Sequence, residues 1–419
     1  GMVNNTETTN VGGLVGGAYY ANTVTNSYWD IQSTGQNRTA VGGTGKTTAE
    51  MSLASTFTGW SDDLWKLAEG SSVEGYGTLR PYLTSVTRVE DRGVASTLFE
   101  SGWGGQTDQD QTGADGSAYS ITTAEQLQNI NLVADQGFDF ELSNAIDLNA
   151  VSWTPIGDDD ARFSGNFDAE NNTLSNLSIN SDNRYQGLFG VVSDGSIKNL
   201  TLSDVSMQTS EDHIGTLVGR VEVADQKSVA IENITLNNSS INSSSGYYIG
   251  GLIGSVGIAD EETGQIDIER IQINDLTMEA NDGERIGGLA GRIYADDDFV
   301  SNMDVAVKNV MIKNLDMDVN GDGNDYVGGI AGDVENGDFD DNNPDAGGEI
   351  TLRQLAVRNG DIKAVGSRYV GGLVGRLQDK SLLDSKNLFI GSVEGGYQVG
   401  GLAGRLSSNS VLNFGYVQA

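Results

Sequence analysis

The sequence contains no cysteine, one histidine and three prolines among its 419 residues. Without cysteine there are no disulfides, no thiolate catalysis and no cysteine-based zinc sites. The single histidine, His213, excludes a metal centre built from several histidines. So little proline excludes collagen and a proline-rich linker. No stretch approaches the roughly 18 apolar residues of a membrane span, so we expect no transmembrane helix.

Positive charge is also scarce. Lys and Arg number 24 against 59 Asp and Glu, which gives a formal net charge of −35. Such a surface repels phosphate backbones and anionic lipids, so we expect no nucleic-acid partner. Apolar residues make up 37% of the chain, which is enough to build a core. Glycine is abundant: its 57 residues are about twice the usual share of roughly 7%.

A glycine motif recurs eight times. It consists of an aliphatic residue, Gly-Gly-Leu, a small aliphatic residue and glycine, with some substitutions. The copies occupy residues 11–16, 185–190, 214–219, 249–254, 286–291, 327–332, 370–375 and 399–404. From Gly190 onward the closing glycines are 29, 35, 37, 41, 43 and 29 residues apart. A period in this range is typical of a repeat architecture.

A second pattern lies between successive glycine motifs: an aliphatic residue, a polar residue and Asn, followed by alternating apolar and polar residues. It begins at Ile197, Ile231 and Val307, with diverged copies at Ile268 and Leu352. Strict alternation in short runs indicates strands that bury one face. Repeats stacked at about 4.8 Å bury these faces against each other and pair their backbones. The sequence therefore predicts an all-β fold, a parallel β-helix (solenoid) of about seven to eight coils.

Asparagines at the third position of this pattern predict an internal ladder at one corner of the coil, with amides bonded along the stack. We interpret this ladder as structural. Its predicted members are Asn176, Asn199, Asn233, Asn309 and Asn387. Arg270 and Gln354 interrupt it.

The chain also carries helix-start signals and domain boundaries. Thr122-Thr-Ala-Glu125 fits a capping box and predicts a helix of about three turns that covers the first coil. Its candidate buried positions are Leu127, Ile130, Leu132 and Val133. We divide the chain into residues 1–86, a glycine-motif repeat with an aromatic tail-like segment; 87–118, a polar, glycine-rich linker; and 119–419, the β-helix.

The Gly-Leu-aliphatic-Gly core resembles the GLUG-repeat family. The resemblance covers most of 119–419 and the first 86 residues. Trp153-Thr-Pro-Ile-Gly-Asp158 looks like the start of such a β-helix, and Asn26-Ser-Tyr-Trp-Asp30 looks like part of the family's exit tail. The resemblance implies a bacterial surface or secreted protein, similar to filamentous-haemagglutinin-like adhesins. It bears on fold more directly than on function.

Insertions in the repeats predict a binding edge. The distance from a closing glycine to the next strand's first aliphatic residue is 7, 12, 14, 16 and 20 residues in the five repeats from Gly190 to Leu352. The insertions therefore fall at one corner of the coil, and an edge of stacked loops is a candidate binding surface. The candidate binding residues on this acidic loop edge are Asp260, Glu261, Glu262, Asp296, Asp297, Asp298, Asp338, Asp340 and Asp341.

Clustered carboxylates and amides also suit calcium, which takes six to eight oxygen ligands. The candidate calcium ligands are Asn320, Asp322, Asn324 and Asp325. This run lacks the spaced ligands and distal Glu of an EF-hand. The alternative is a solvated acidic face that keeps an extracellular protein soluble. We expect no other cofactor.

Three smaller features have simpler interpretations. Residues 42–47 lack the first glycine of a phosphate-binding loop, and we interpret them as a glycine turn. His213 is predicted to be an exposed strand-edge residue rather than a catalyst. Arginines follow several closing glycines and predict a row on the outer face that pairs with the acidic loops, or alternatively a carboxylate-binding stripe. They are Arg220, Arg292, Arg376 and Arg405.

Together these features favour a non-enzymatic, extracellular or cell-surface adhesin or matrix module that binds a host or matrix glycan or a protein ligand. The alternative is a carbohydrate-active β-helix enzyme, a polysaccharide hydrolase or lyase, since acidic pairs are abundant.

The isolated N-terminal repeat is too short to form a solenoid alone. We hypothesise that residues 10–83 dock on the C-terminal end of the 119–419 stack, with Leu14 continuing the column of Leu373 and Leu402. Docking within one chain and head-to-tail self-association between chains both satisfy this hypothesis.

Overall fold

The structure is a computed structural model of the chain. It describes residues 27–31, 43–47, 56, 65–66, 82–83, 118–223, 226–258, 263–295, 303–320, 325–336, 349–378, 381–384, 386–407, 410–412 and 415–418. The chain divides into two compact units, Gly1–Thr107 and Asp108–Ala419. Of the proposed linker 87–118, only Ala118 is among the described residues.

In the first unit, the described strands are β1 (Tyr28–Asp30), β2 (Thr44–Lys46), β3 (Trp65–Lys66) and β4 (Tyr82–Leu83). β1 and β2 pair in parallel, with Trp29 opposite Gly45, and β3 pairs with β4 in antiparallel fashion. A Cβ on Gly45 would lie 2.9 Å from the Trp29 ring, so only glycine lets the indole pack there. Residues 44–46 thus form a strand rather than the expected glycine turn. Leu14, on which the docking hypothesis rests, lies outside the described residues.

Among the described residues of the second unit there is one α-helix, α1 (Ala124–Asn129), which continues as a 3₁₀ helix (Ile130–Gln136). Its early strands are β5 (Tyr119–Ile121), β6 (Asp139–Leu142), β7 (Ile146–Asp147), β8 (Asn166–Asp168), β9 (Thr173–Ser175), β10 (Ser178–Asn180), β11 (Phe189–Val192), β12 (Gly195–Ser203), β13 (Ser206–Thr209), β14 (Val218–Val223), β15 (Lys227–Ser243), β16 (Gly246–Gly250) and β17 (Ile253–Ile258).

The later strands are β18 (Gly264–Asn281), β19 (Gly283–Gly287), β20 (Ala290–Ala295), β21 (Met303–Asn320), β22 (Tyr326–Gly328), β23 (Ala331–Asn336), β24 (Glu349–Ala364), β25 (Tyr369–Gly371), β26 (Val374–Gln378), β27 (Leu382–Asp384), β28 (Asn387–Gly395), β29 (Gln398–Gly400), β30 (Ala403–Leu406), β31 (Val411–Leu412) and β32 (Gly415–Gln418).

These strands stack as a parallel β-helix, which confirms the predicted fold class. A seven-stranded sheet runs in the order β11-β14-β17-β20-β23-β26-β30, so each of seven coils contributes one strand. A sixteen-stranded sheet and a five-stranded sheet, β16-β19-β22-β25-β29, form the other sides. Equivalent residues pair in register from coil to coil, as in Ile231 with Ile268 and Ile268 with Val307. These three side chains have no exposed surface, and burying each stabilises the fold by about 1.5–3 kcal/mol.

The long strands bend at two corners. In β15, Asn233 and Asn238 have φ of 54° and 48°, in the left-handed region that Asn and Asp tolerate best among residues with a side chain. The register defines two columns of such residues. The first corner column is Asn171, Asn199, Asn233, Arg270, Asn309, Gln354 and Lys386. The second corner column is Asn176, Asp204, Asn238, Asp275, Asn314 and Asn359.

The predicted asparagine ladder exists, but it is external and it is divided between the two columns. Asn233 Nδ2 donates to Asn199 Oδ1 at 2.9 Å in the first column, and Asn314 Nδ2 donates to Asp275 Oδ1 at 2.8 Å in the second. The ladder faces solvent because the flanking aliphatic residues occupy the core. Asn176 belongs to the second column.

Asn387, a predicted member of the ladder, and the two predicted interruptions differ from the other positions. Asn387 lies one residue past the corner, is buried, and accepts a hydrogen bond from the Leu355 amide at 3.1 Å. Arg270 and Gln354 adopt the same positive φ as the asparagines. They interrupt the amide ladder without changing the bend.

The N-terminal helix starts one residue later than predicted. Thr123 is the N-cap; its Oγ1 accepts from the Gln126 amide at 3.2 Å, and Gln126 Oε1 accepts from the Thr123 amide at 3.1 Å. Gln126 therefore replaces Glu125 as the capping-box partner. Leu127 and Ile130 are fully buried, as predicted, and Val133 is 2% exposed; the Leu132 side chain is outside the described set. Within the described part of the chain, no helix combines the length and apolarity needed to cross a bilayer.

Candidate functional site

The predicted acidic loops depart from one corner of the coil. Strands β17, β20 and β23 end at Ile258, Ala295 and Asn336, which are neighbours in register. The strands that follow the loops, β18, β21 and β24, also lie side by side. We call these strand ends the loop stems. The loops therefore leave and return at equivalent places in three successive coils.

The predicted binding residues themselves lie outside the described part of the chain. They are Asp260, Glu261, Glu262, Asp296, Asp297, Asp298, Asp338, Asp340 and Asp341. Their role in binding stays a prediction. What the structure describes is the surface from which the loops rise.

That surface consists of three columns of outward side chains, which we call the arginine–tyrosine face. The ring column is Tyr185, His213, Tyr248, Arg285, Tyr326 and Tyr369. The arginine column is Arg220, Ser255, Arg292, Asp333, Arg376 and Arg405. The stem column, nearest the loops, is Glu222, Gly257, Tyr294, Glu335 and Gln378.

The ring column forms a continuous stack along the solenoid. The His213 ring centre is 5.0 Å from that of Tyr185 and 4.7 Å from that of Tyr248. The Arg285 guanidinium carbon then lies 5.4 Å from the Tyr248 and Tyr326 ring centres, and Tyr326 stacks on Tyr369 at 5.2 Å. Tyr185, His213 and Tyr369 are buried, and Tyr248 and Tyr326 are half-buried with neighbours of the column against their faces, so we assign the column a packing role.

The arginine column differs from its prediction. Ser255 and Asp333 alternate with the arginines, and the described acidic partners are strand residues, apart from Asp159, which lies in a bend 3.8 Å from Arg220. Asp333 is fully buried between two guanidiniums, with Oδ2 at 3.1 Å from Arg285 Nε and 2.6 Å from Arg376 Nη2. Burial acts to lower the pKa of Arg376, but the hydrogen bond and charge of Asp333 outweigh it and the pKa is raised.

The stem column closes the network beside the loops. Glu335 accepts from Arg292 Nη2 at 2.8 Å and from Gln378 Nε2 at 2.6 Å. Glu222 is 6% exposed and pairs with Arg162 at 3.0 Å and with Arg220. Buried charges persist only when they are paired and hydrogen-bonded. These carboxylates are therefore engaged in ion pairs that stabilise the stack of coils.

His213 is buried, so the prediction of an exposed strand-edge residue is wrong. It is 6% exposed because Tyr185 and Tyr248 cover its ring, and its Nδ1 lies 2.7 Å from Ser255 Oγ. Burial lowers the pKa of His213 to about 3, helped by the charges of nearby arginines. A base that weak does not activate a serine at neutral pH, and Ser255 has no exposed surface. We assign the pair a structural role.

Two of the four candidate calcium ligands are described. Asp325 is 1% exposed and its Oδ2 accepts from Ser367 Oγ at 3.0 Å, while Asn320 Nδ2 donates to Asn281 Oδ1 at 3.4 Å. Both therefore take part in coil-to-coil hydrogen bonds. Asp322 and Asn324 are not described. Over the residues that the structure does describe, no cluster of three or more His, Cys, Asp or Glu is placed to hold a metal ion.

Sequence reasoning missed the ring column, although its signal was present. A ring or an arginine occupies the position just before the aliphatic residue in most copies of the glycine motif. Parallel stacking brings equivalent positions of adjacent coils to about 4.8 Å, which is ring-stacking distance. A repeat that carries an aromatic residue at the same position in successive copies therefore predicts a ring column.

Comparison with known proteins finds partial similarity to a few of them. No family model matches it. A stretch covering 27% of the chain is 34% identical to a candidate Gly-rich membrane protein of Evansella cellulosilytica, and a stretch covering 33% is 31% identical to halomucin of Haloquadratum walsbyi. These matches span 14% and 2% of the two relatives.

Among solved structures, a candidate immunoglobulin A1 protease from Bacteroides ovatus superposes with a TM-score of 0.45 at 20% identity, over 73% of this chain and 88% of that one. In sequence, the chain is thus similar to short segments of two longer proteins.

Proposed function

We propose that the chain is an extracellular or cell-surface adhesin or matrix module, in which a rigid β-helical stalk presents an acidic loop edge to a ligand. The observation that carries this proposal is the register of the loop stems. In three successive coils the strands that precede the loops end at neighbouring positions in register, so the loops start side by side along the solenoid. Loops held on a rigid scaffold are the usual location of binding residues.

The stalk is rigid where the loops attach. The arginine–tyrosine face ties adjacent coils through buried ion pairs and ring stacking, and its stem column lies directly beside the loop stems. A ligand therefore meets loops whose bases are already fixed, which lowers the ordering cost of binding.

The surroundings of the protein are part of the proposal. The resemblance to GLUG repeats and the description of one relative as a membrane protein support a cell-surface or extracellular location. A formal net charge of −35 keeps the surface of the protein hydrated and opposes non-specific association between molecules. The ligand class that fits is a host or matrix glycan, or a protein with a basic patch that complements the loops.

The test compares two triple variants that each remove three negative charges. One carries Asp296→Asn, Asp297→Asn and Asp298→Asn in a loop. The control carries Glu279→Gln, Asp316→Asn and Asp318→Asn on exposed strand positions away from the loop stems. Wild type and both variants are applied to a glycan array and to a panel of immobilised matrix proteins.

We expect wild type and the control to bind one class of ligand with similar affinity, and the loop variant to bind at least about tenfold more weakly. Equal binding by the loop variant, or no ligand for wild type on either panel, would contradict the proposal.

A further inference from the structure

The outer surface of the β-helix changes along its length in one specific respect. Between residues 171 and 244, seven of the ten asparagines are followed two positions later by Ser or Thr, with no proline between. They are Asn171, Asn176, Asn199, Asn233, Asn237, Asn238 and Asn242. None of the fourteen asparagines from Asn274 to Asn413 has this pattern. Asn-x-Ser/Thr is the acceptor sequence for N-linked glycans.

The fold presents these asparagines outward. Asn171, Asn176, Asn233, Asn238 and Asn242 are exposed, and four of these five occupy the positive-φ corners; the fifth, Asn242, lies on an outer strand position. The intervening residue points into the core in several copies, as Leu177, Leu200 and Ile234 do. The hydroxyl residue then returns to the outer face of the next strand. In these copies the acceptor amide and its hydroxyl therefore lie on the same outer side of the coil, whereas Ser239, which completes the pattern of Asn237, is buried.

The later coils keep the corner but lose the hydroxyl. The threonine column Thr173, Thr201 and Thr235 continues in register as Gln272 and Met311. At the second corner, Ser240 and Thr277 give way to Asp316 and Asp361. Asn309, Asn314 and Asn359 have the same positive φ and exposure as the earlier asparagines. Corner geometry alone therefore does not explain why, within the β-helix, the acceptor pattern is confined to residues 171–244.

We propose that residues 171–244 form an N-glycosylated segment of the stalk. This proposal rests on the extracellular location proposed above. A membrane oligosaccharyltransferase would transfer a glycan from a polyisoprenoid phosphate donor. The bond between the sugar's anomeric carbon and the donor phosphate breaks, an N–C bond forms at Asn Nδ2, and the Nδ2 proton leaves with the lipid phosphate.

The modification is compatible with the folded corner. A glycosylated amide keeps Oδ1 and one N–H, so Asn233 can still donate to Asn199 Oδ1 as it does in the unmodified stack. There is space at the second corner, where Asn238 lines a shallow open depression with Ser240, Asp275 and Thr277. Glycans would then hydrate the coils that carry fewer carboxylates.

The experiment is glycopeptide mass spectrometry on the full chain, isolated from the surface and secreted fractions of its source organism. We expect hexose-containing mass additions on peptides that contain the acceptor asparagines. In Thr235→Ala, the glycan at Asn233 should be lost while the melting temperature and the amide ladder are unchanged. In Met311→Thr, which creates Asn-Val-Thr at a matched corner, a new glycan should be gained at Asn309.

Two results would overturn the proposal. One is unmodified asparagine at all seven positions in surface-exposed protein, which leaves the surface location standing. The other is an unmodified Asn309 in Met311→Thr when Asn233 carries a glycan. Recovery of the chain from the cytoplasm alone would instead overturn both the location and the modification.

Discussion

At the scale of single residues, the side chains at two kinds of position decide most of the structure. Asparagine or aspartate at the corners adopts a positive φ that costs other side chains about 1–2 kcal/mol. Tyr185 and His213 also have positive φ, of 59° and 62°, and there the ring stack holds them. At the corners the positive φ follows the intrinsic preference of asparagine and aspartate. In the ring column it is imposed by packing.

The first prediction concerns His213. Its pKa is about 3 in the folded protein and near 6.5 unfolded, so below pH 6.5 the unfolded chain binds a proton that the folded chain does not. Stability should therefore fall as the pH drops from 6.5 towards 3, by up to about 4 kcal/mol from this group. Because the chain has one histidine, its ring protons in NMR spectra report this titration directly.

The matched variant is His213→Tyr, since Tyr185 occupies the same column with the same positive φ. We expect its acid-side loss of stability to be smaller than that of wild type by this amount. A His213 ring that titrates near pH 6.5 in the folded protein would show that the stack does not exclude the proton.

The second prediction concerns Asp333. Asp333→Asn removes the charge that compensates Arg285 and Arg376 in a fully buried position. We expect a loss of about 3–5 kcal/mol in the free energy of unfolding, measured by denaturant titration. The exposed Asp318→Asn serves as control and should change stability by less than about 0.5 kcal/mol. Similar values for the two variants would argue against a structural role for the buried network.

At the scale of elements, the β-helix corner is the unit that repeats. Each coil needs strand segments of fixed length between the two corner columns, because the core residues on either side must stay in register. The loops before the long strands are free of this constraint, and their length grows in the repeats from Gly190 to Leu352. Regular corners and variable loops therefore coexist in one repeat.

A third prediction tests the corner. Asn309 is exposed, has φ of 55° and makes one weak side-chain hydrogen bond, at 3.4 Å to Glu269. Asn309→Val places a β-branched residue in the left-handed region and should lower the melting temperature, with a cost of about 1–2 kcal/mol. Asn309→Gly loses the same side-chain bond but tolerates the conformation, so we expect a smaller loss. Equal losses would assign the effect to the ladder rather than to the backbone.

At the scale of the whole molecule, charge dominates. A formal net charge of −35 opposes compaction through self-repulsion. Salt shortens the range of this repulsion, because the Debye length is about 10 Å at 0.1 M and 3 Å at 1 M. We therefore predict that the melting temperature rises between 0.05 M and 1 M sodium chloride, as measured by calorimetry. A melting temperature that falls with salt would mean that the ion pairs of the arginine–tyrosine face outweigh the net repulsion.

Calcium provides a separate test at this scale. If Asn320, Asp322, Asn324 and Asp325 form a site, millimolar calcium should raise the melting temperature above that in magnesium at the same concentration, by mass action on the folded state. Identical curves in the two ions, with no heat in calorimetric titration, would remove the calcium prediction and leave a solvated acidic loop.

Sequence alone was sufficient for the architecture of this protein. The period of the glycine motif, the alternation in the strands and the position of the insertions all follow from one-dimensional patterns, because each coil contacts chiefly its neighbours. Only the tertiary structure decided which side of the coil each outward residue occupies. The stacking of the coils buries His213 between two rings and places Asp333 between two guanidiniums. It also turns the asparagine ladder outward. These outcomes depend on contacts between residues about 30 to 50 positions apart in the chain, whose register no single repeat specifies.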